Sequence, residues 1–415
     1  MDNTSALRGR RINWSQTFAA LKYRNYRLWF WGQMVSLFGT WMQSTAQGFL
    51  IYQLTKSPEY LGLVTFASGV PTWLFMLYGG VVADRVSRRT LMIVTQTAMM
   101  VLAFVLAALT FLKLVQPWHI LVMAFLLGVC QAFDAPARQA FVLEMVERED
   151  LTNAIALNAA MFNSAVAVGP AASGIIYAIA GPAWCFLLNG LSFVAVIAGL
   201  FLMRLKPFVA PPRSPSVLLD LREGLRYTLT HSAIRAIIIV IGMMTLFGYS
   251  FWTLIPAWSV TVLHGDATTN GWLQAARGIG ALACALAIAA MGRFNERGRV
   301  LSAGTFVFPL ALLSLVFVRS LPLALAITIV LGGAMMAINN MCNALIQLLV
   351  DDRLRGRVMG IYSLVFFGAM PLGGLLVGST AERIGEPLTL QIFSLITLAG
   401  AVLVFLYIPR LRRLG

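Results

Sequence analysis

The chain has 415 residues; 59% are hydrophobic and only 11% are charged, yet the formal net charge is +15. That apolar supply, about 245 residues, fills on the order of twelve spans at roughly 20 residues each, whereas a soluble domain carries about 25% charged residues. A soluble enzyme, a disordered chain and a disulfide scaffold are thereby excluded. The basic excess reads as anchorage of membrane loops rather than as a nucleic-acid signal.

In chain order, residues 1–27 form a polar segment with Arg8, Arg10, Arg11 and Lys22 and no apolar core of signal-peptide length. A retained, cytoplasmic N-terminus is expected. Apolar runs then predict twelve spans near 28–52, 60–83, 91–112, 118–138, 154–180, 182–203, 236–262, 270–291, 300–318, 321–347, 358–381 and 388–408. The fold class is an all-α integral membrane protein of two six-helix bundles, 28–203 and 236–408, with a tail at 409–415. Between the bundles, 204–235 is a cytoplasmic linker. Pro207, Pro211, Pro212 and Pro215 open it, and Leu218, Leu221, Leu225 and Leu229 follow at helical spacing, which predicts an amphipathic surface helix.

Loop charge sets the orientation. The N-terminal segment, the linker, the C-terminal tail and the loops after spans 2, 4, 8 and 10 hold 26 basic residues; the other side has Lys56, Lys113, Arg319 and Arg383. Basic residues are retained on the cytoplasmic side, so both termini are expected there, in a bacterial inner membrane. One basic residue, Arg277, falls inside span 8. Cys130, Cys185, Cys284 and Cys342 lie singly in apolar runs and read as packing residues. His119, His231 and His264 stand alone, and no glycine loop with a Lys offers nucleotide binding. No enzyme activity, cofactor or metal is expected.

The halves are weakly repetitive. Val146-Glu-Arg-Glu-Asp-Leu151 follows span 4 and Val350-Asp-Asp-Arg-Leu-Arg355 follows span 10, each trailed by a Gly/Pro kink, Gly169-Pro170 or Pro371-Leu-Gly373-Gly374. Repetition of six spans marks a transporter built from two pseudo-symmetric bundles.

Gly80-Val-Val-Ala-Asp84-Arg85-Val-Ser-Arg88-Arg89, between spans 2 and 3, resembles the signature loop of the major facilitator superfamily. A degenerate copy, Arg293-Phe-Asn-Glu-Arg297-Gly-Arg299, lies between spans 8 and 9. Leu21-Lys-Tyr-Arg-Asn-Tyr-Arg27, Ser36-Leu-Phe-Gly39-Thr-Trp-Met-Gln43 and Ala132-Phe-Asp134-Ala-Pro136-Ala-Arg138 resemble the transmembrane secretion effector group, which includes the enterobactin exporter. Ala165-Val-Ala-Val-Gly169-Pro170-Ala-Ala-Ser-Gly174 is similar to the antiporter motif of superfamily exporters, with Ala165 and Ser173 replacing glycines. The pattern departs from the superfamily at Gly128, where many antiporters carry an Arg, and at Thr40, near which many relatives carry an acid. The resemblance implies alternating access, proton-coupled export and a monomer. It also implies a conformational latch of Gly80, Asp84, Arg85, Arg88, Arg89, Asp134 and Arg138, and a hinge at Gly169, Pro170 and Gly174.

Polar stripes mark a substrate path. In span 1, Gln33, Ser36, Thr40, Gln43, Ser44 and Gln47 share an arc of about 100°; in span 10, Asn339, Asn340, Asn343 and Gln347 do the same, and Gln131 shares a face with Asp134 in span 4. Span 7 adds Tyr249 and Trp252, and span 8 adds Gln274 and Arg277. Such side chains also act as glue between helices, contributing on the order of 0.6 kcal/mol each. Amides and aromatic rings with few charges suit an amphipathic organic substrate. Arg277 either meets an anionic group of that substrate or serves as a structural partner. Asp134 either carries protons or pairs with Arg138, one helical turn away. The leading reading is an exporter of siderophore-like or drug-like molecules in contact with membrane lipid; a lipid or lysolipid flippase without obligatory ion coupling is the alternative.

Overall fold

The computed structural model describes residues 18–205, 217–291 and 296–407. Arg8, Arg10, Arg11, the Pro207–Pro215 run, Arg293 and the tail after Tyr407 lie outside the described residues, as does the side chain of Asp84. The first half comprises α1 (Arg24–Thr55), α2 (Pro58–Arg85), α3 (Arg88–Phe111), α4 (Pro117–Phe141), α5 (Leu151–Ala180) and α6 (Pro182–Leu202). A linker helix, Val217–Thr230, follows. The second half comprises α7 (Ser232–Thr261), α8 (Ala267–Met291), α9 (Arg297–Val316), α10 (Leu321–Leu349), α11 (Arg355–Ile384) and α12 (Glu386–Tyr407).

The shortest of the twelve, α9 with 20 residues, spans about 30 Å at 1.5 Å per residue, the thickness of a hydrocarbon core. Among the described residues ten helices are long and apolar enough to cross a membrane. The other two, α1 and α2, have 32 and 28 residues, and their length suffices; in α1 the Gln, Ser and Thr side chains dilute the apolar run. Pro opens α2, α4, α6 and α10, at positions whose N–H would have no helical acceptor in any case. Gly181 joins α5 to α6 and Gly385 joins α11 to α12, with φ of 90° and 81°. A side chain with a Cβ is strained there, and the two turns occupy equivalent places in the two halves.

Each half has its own apolar core, and a third cluster brings Ala257 and Ala267 of the second half against Met42, Phe49 and Tyr177 of the first. The halves meet along two seams, α2 against α11 and α5 against α8. Small residues make this close approach possible. A Cβ on Gly62 would fall 2.6 Å from the Gly374 carbonyl oxygen, and one on Gly271 would fall 2.6 Å from that of Pro170. Pro170 on α5 and Pro371 on α11 hold corresponding places in the two seams.

The start of α1 and the end of α12 lie on one face of the bundle, here the terminal face. The tight glycine contacts across the two seams gather in the opposite-face half, where the Ser57 hydroxyl donates to Glu382 at 2.7 Å across the α2–α11 seam. In the terminal-face half, Gly80 on α2 and Gly356 and Gly360 on α11 have open space beside them. Leu74, Tyr78, Ile155, Phe162, Leu286 and Phe367 are exposed on the same four helices. The halves are therefore joined toward the opposite face and splayed toward the terminal face.

Candidate functional site: a mid-membrane aromatic clamp above a terminal-face cavity

Arg277 lies near the middle of α8, and its guanidinium carbon stands 4.9 Å from the ring centre of Trp252 on α7 and 5.7 Å from that of Trp41 on α1. One indole belongs to each half. The side chain is 8% exposed, and its Nε has no hydrogen-bond partner. An Arg near a membrane centre costs roughly 2.5–3.5 kcal/mol on insertion scales, and two indole faces offset part of that, each by about 0.5–2 kcal/mol. Trp41 also meets Phe162 of α5 edge-on at 5.8 Å. The buried indole nitrogen of Trp252 has no acceptor, and farther toward the opposite face neither the Trp258 indole nitrogen nor either amide atom of the fully buried Asn270 is bonded.

A cavity of about 520 Å³ opens in the terminal-face half of the second bundle, lined by Asn340, Asn343 and Gln347 of α10, by Ile288, Met341 and Leu348, and by Arg297 and Arg355. Gly332 of α10 packs on the backbone of Arg277. Asn340, eight residues further along α10, lies about 12 Å nearer the terminal face.

The predicted path residues divide accordingly. Trp252, Arg277, Asn340, Asn343 and Gln347 face the clamp or the cavity, with Gln347 donating to Asn343. Gln274 is half-buried on the face of α8 that carries Arg277, and Gln131 is exposed on α4. Others are drawn into packing. Gln43 accepts from the Asn189 amide of α6 at 2.7 Å, Gln33 and Gln47 are buried, and half-buried Thr40 donates to the Ser36 carbonyl of its own helix. Gln43 therefore serves a helix contact within the first half, because α6 presents a matching amide. Tyr249 is buried in the second-half core, edge-on to Phe308, with its hydroxyl 3.4 Å from Asn339 Oδ1.

The expected latch also divides. Asp134 is buried between α3 and α4, accepting from Thr95 and Gln96 at 3.0 Å each, with Arg138 Nε at 3.9 Å. Of the loop arginines, Arg88 pairs with Glu144 at 2.6 Å, Arg89 donates to the Phe201 carbonyl, and Arg85 is exposed. These interactions lie within the first half, as the splayed terminal face requires. For the hinge, Gly169 is pressed on Trp41 and Phe38 of α1, whereas Pro170 and Gly174 form the α5–α8 seam.

Two clips hold surface segments at the terminal face. Lys22 pairs with Asp150 at 2.6 Å, and the Tyr23 hydroxyl donates to the same carboxylate. Glu223 of the linker helix meets Arg353 and Arg357 beside α11. The Lys22 ammonium and the Tyr23 hydroxyl hold the Asp150 carboxyl below its ordinary value, and Asp150 raises Lys22. Sequence reasoning missed Trp41, Asn189, Thr95 and Gln96 as partners; their contacts are long-range, and no local spacing announces them. Among the described residues no cluster of three metal-ligating side chains occurs.

Solved transporters share this architecture. A peptide transporter of the POT type superimposes with TM-score 0.76 at 12% identity, covering 94% of this chain and 95% of its own. A bacterial homologue of the lysosomal transporter Spinster, in an inward-facing unoccupied conformation, gives 0.68 at 15%, covering 96% and 98%. In sequence, the chain is 29% identical to the multidrug efflux pump Tap of Mycolicibacterium fortuitum over 88% of this chain and 91% of that one. It is 24% identical to the staphyloferrin A transporter of Staphylococcus aureus over 90% and 93%, and 23% identical to macrolide efflux protein A of Streptococcus pyogenes over 88% and 92%. The model of the transmembrane secretion effector family matches residues 15–413, so the chain is a multi-pass membrane transporter that belongs to the transmembrane secretion effector family of the major facilitator superfamily.

Proposed function

We propose that the protein is a secondary active exporter, driven by protons, that moves small amphipathic organic molecules of siderophore or drug type by alternating access. The observation that carries this reading is the amide-lined cavity at the terminal face, below an aromatic clamp that the two seams close off from the opposite face. The excess of basic residues in terminal-face segments makes that face cytoplasmic. Substrate then enters from the cytoplasm, reaches Trp41, Trp252 and Arg277, and leaves when the seams part. The Gly and Pro residues at Pro170, Gly174, Pro371 and Gly374 let the packed helices exchange one arrangement for another. The siderophore and drug transporters among the relatives support the substrate class.

In this scheme Asp134 is an element of the terminal-face latch. Thr95 and Gln96 donate to its carboxylate from α3, and Arg138 stands one helical turn away on α4. Reconstitution into liposomes tests the reading, with dyes, antibiotics, siderophores and lysolipids offered with and without a pH gradient. Gradient-dependent movement of an organic solute is expected; movement of lysolipid alone, indifferent to pH, would replace export with flipping.

A further inference from the structure

Arg277 is a buried cation with no anion beside it among the described residues. Of the 16 acidic residues, those in described positions lie at helix ends, in loops or on the linker helix, apart from Asp134. That carboxylate lies on α4, toward the terminal face, and is bound by Thr95, Gln96 and Arg138. Among the described residues no salt bridge or hydrogen bond satisfies the Arg277 guanidinium, and its Nε is buried without an acceptor. Its neighbours are two ring faces, from opposite halves of the molecule.

A structural arginine in a membrane ordinarily pairs with a carboxylate or with backbone carbonyls. Arg277 does neither among the described residues. Its planar fork is suited to a carboxylate or sulfonate, which it can meet through two parallel hydrogen bonds. Trp41 and Trp252 offer faces on which an aromatic ring beside that group can stack.

We propose that Arg277 is the receptor for an anionic group of the substrate, and that the protein therefore prefers aromatic or amphipathic anions to cations of the same shape. This rests on the exporter reading and narrows its substrate class. The anion docks where α1 of one half faces α7 and α8 of the other, so its charge lies at the point where the halves part. Approaching solutes meet Arg297 and Arg355 first, at the terminal-face mouth of the cavity that Asn340 also lines.

Two xanthene dyes of one ring system and opposite charge provide the test: fluorescein and rhodamine 6G, titrated by polarisation at pH 8 against the full chain in nanodiscs. The wild type is expected to bind fluorescein at least tenfold more tightly. Arg277→Gln should weaken fluorescein at least tenfold while leaving rhodamine 6G unchanged or tighter, and Arg277→Lys should recover part of the loss. A wild-type arm needs no variant to fold: 1-naphthalenesulfonate should displace bound fluorescein, and 1-naphthylmethylammonium at equal concentration should not. Tighter binding of rhodamine 6G by the wild type, equal displacement by the two naphthalenes, or equal loss of both dyes in Arg277→Gln overturns the proposal and leaves the exporter reading standing. Binding of neither dye, with no movement of any organic solute in liposomes, sinks the exporter reading itself and this inference with it.

Discussion

Gly271→Ala tests whether the α5–α8 seam is a moving part. The added Cβ would lie 2.6 Å from the Pro170 carbonyl oxygen, 2.9 Å from Gly174 Cα and 3.0 Å from Gly174 N. All three are backbone atoms, so no side chain can swing aside. Restoring ordinary contact requires the helices to separate by roughly 0.8 Å at that level. Overpacking of this kind costs about 1–3 kcal/mol, and it is charged only to the state in which the seam is closed. The equilibrium should therefore move about 5- to 150-fold toward the state open at the opposite face. Spin labels at Ile155 on α5 and Leu286 on α8, both exposed in the terminal-face half, report that shift as a gain in the shorter-distance population. Gly360→Ala, which adds a methyl group to open space on α11, should leave the distances as they are. An unchanged distribution in a well-folded Gly271→Ala protein, or an equal shift in Gly360→Ala, would refute the reasoning.

Further outcomes follow from the same contacts. Asp134→Asn removes the charge facing Arg138 while keeping an acceptor for Thr95 and Gln96; state populations in the label experiment should change while a pH gradient still drives transport, and loss of gradient-driven transport alone would mark Asp134 as the proton site. Asn189→Leu strands the buried Gln43 carbonyl oxygen, a loss of about 1–3 kcal/mol that thermal unfolding in detergent should register. Glu223→Gln should speed amide exchange in Val217–Thr230 by less than about tenfold, since exposed ion pairs contribute roughly 0–1 kcal/mol. The Lys22–Asp150 clip has a pH window. Asp150 is depressed below 3.8 and Lys22 raised above 10.5, so its stabilisation is complete between those values, is lost as pH falls through the depressed carboxyl value, and is lost again as pH rises through the raised ammonium value. Exchange at the amide of Ala20, which donates to Asn153, should be flat between pH 5 and 9 after correction for intrinsic rates, and a step within that range would contradict the assignment.

Legible in the amino-acid sequence by itself were the spans, the segregation of basic charge among their loops and the Gly/Pro repetition between the halves. Each depends on local quantities: the length of an apolar run, the sign of charge in a short loop, and Gly or Pro at corresponding places such as Pro170 and Pro371. It also isolated Arg277, because a lone charge in an apolar run is visible without a fold. Tertiary structure alone decided what the polar stripes touch. A helical arc shows that Gln33, Gln43 and Asn343 avoid lipid, but avoidance of lipid is satisfied equally by a neighbouring helix and by a cavity. Gln43 met Asn189, 146 residues away, whereas Asn343 met the terminal-face cavity. The same ambiguity hid Trp41, whose ring acquires significance only when α1 of one half is brought beside α8 of the other. Side-chain periodicity fixes a direction from the helix axis; what lies in that direction is set by the packing of helices far apart in the chain.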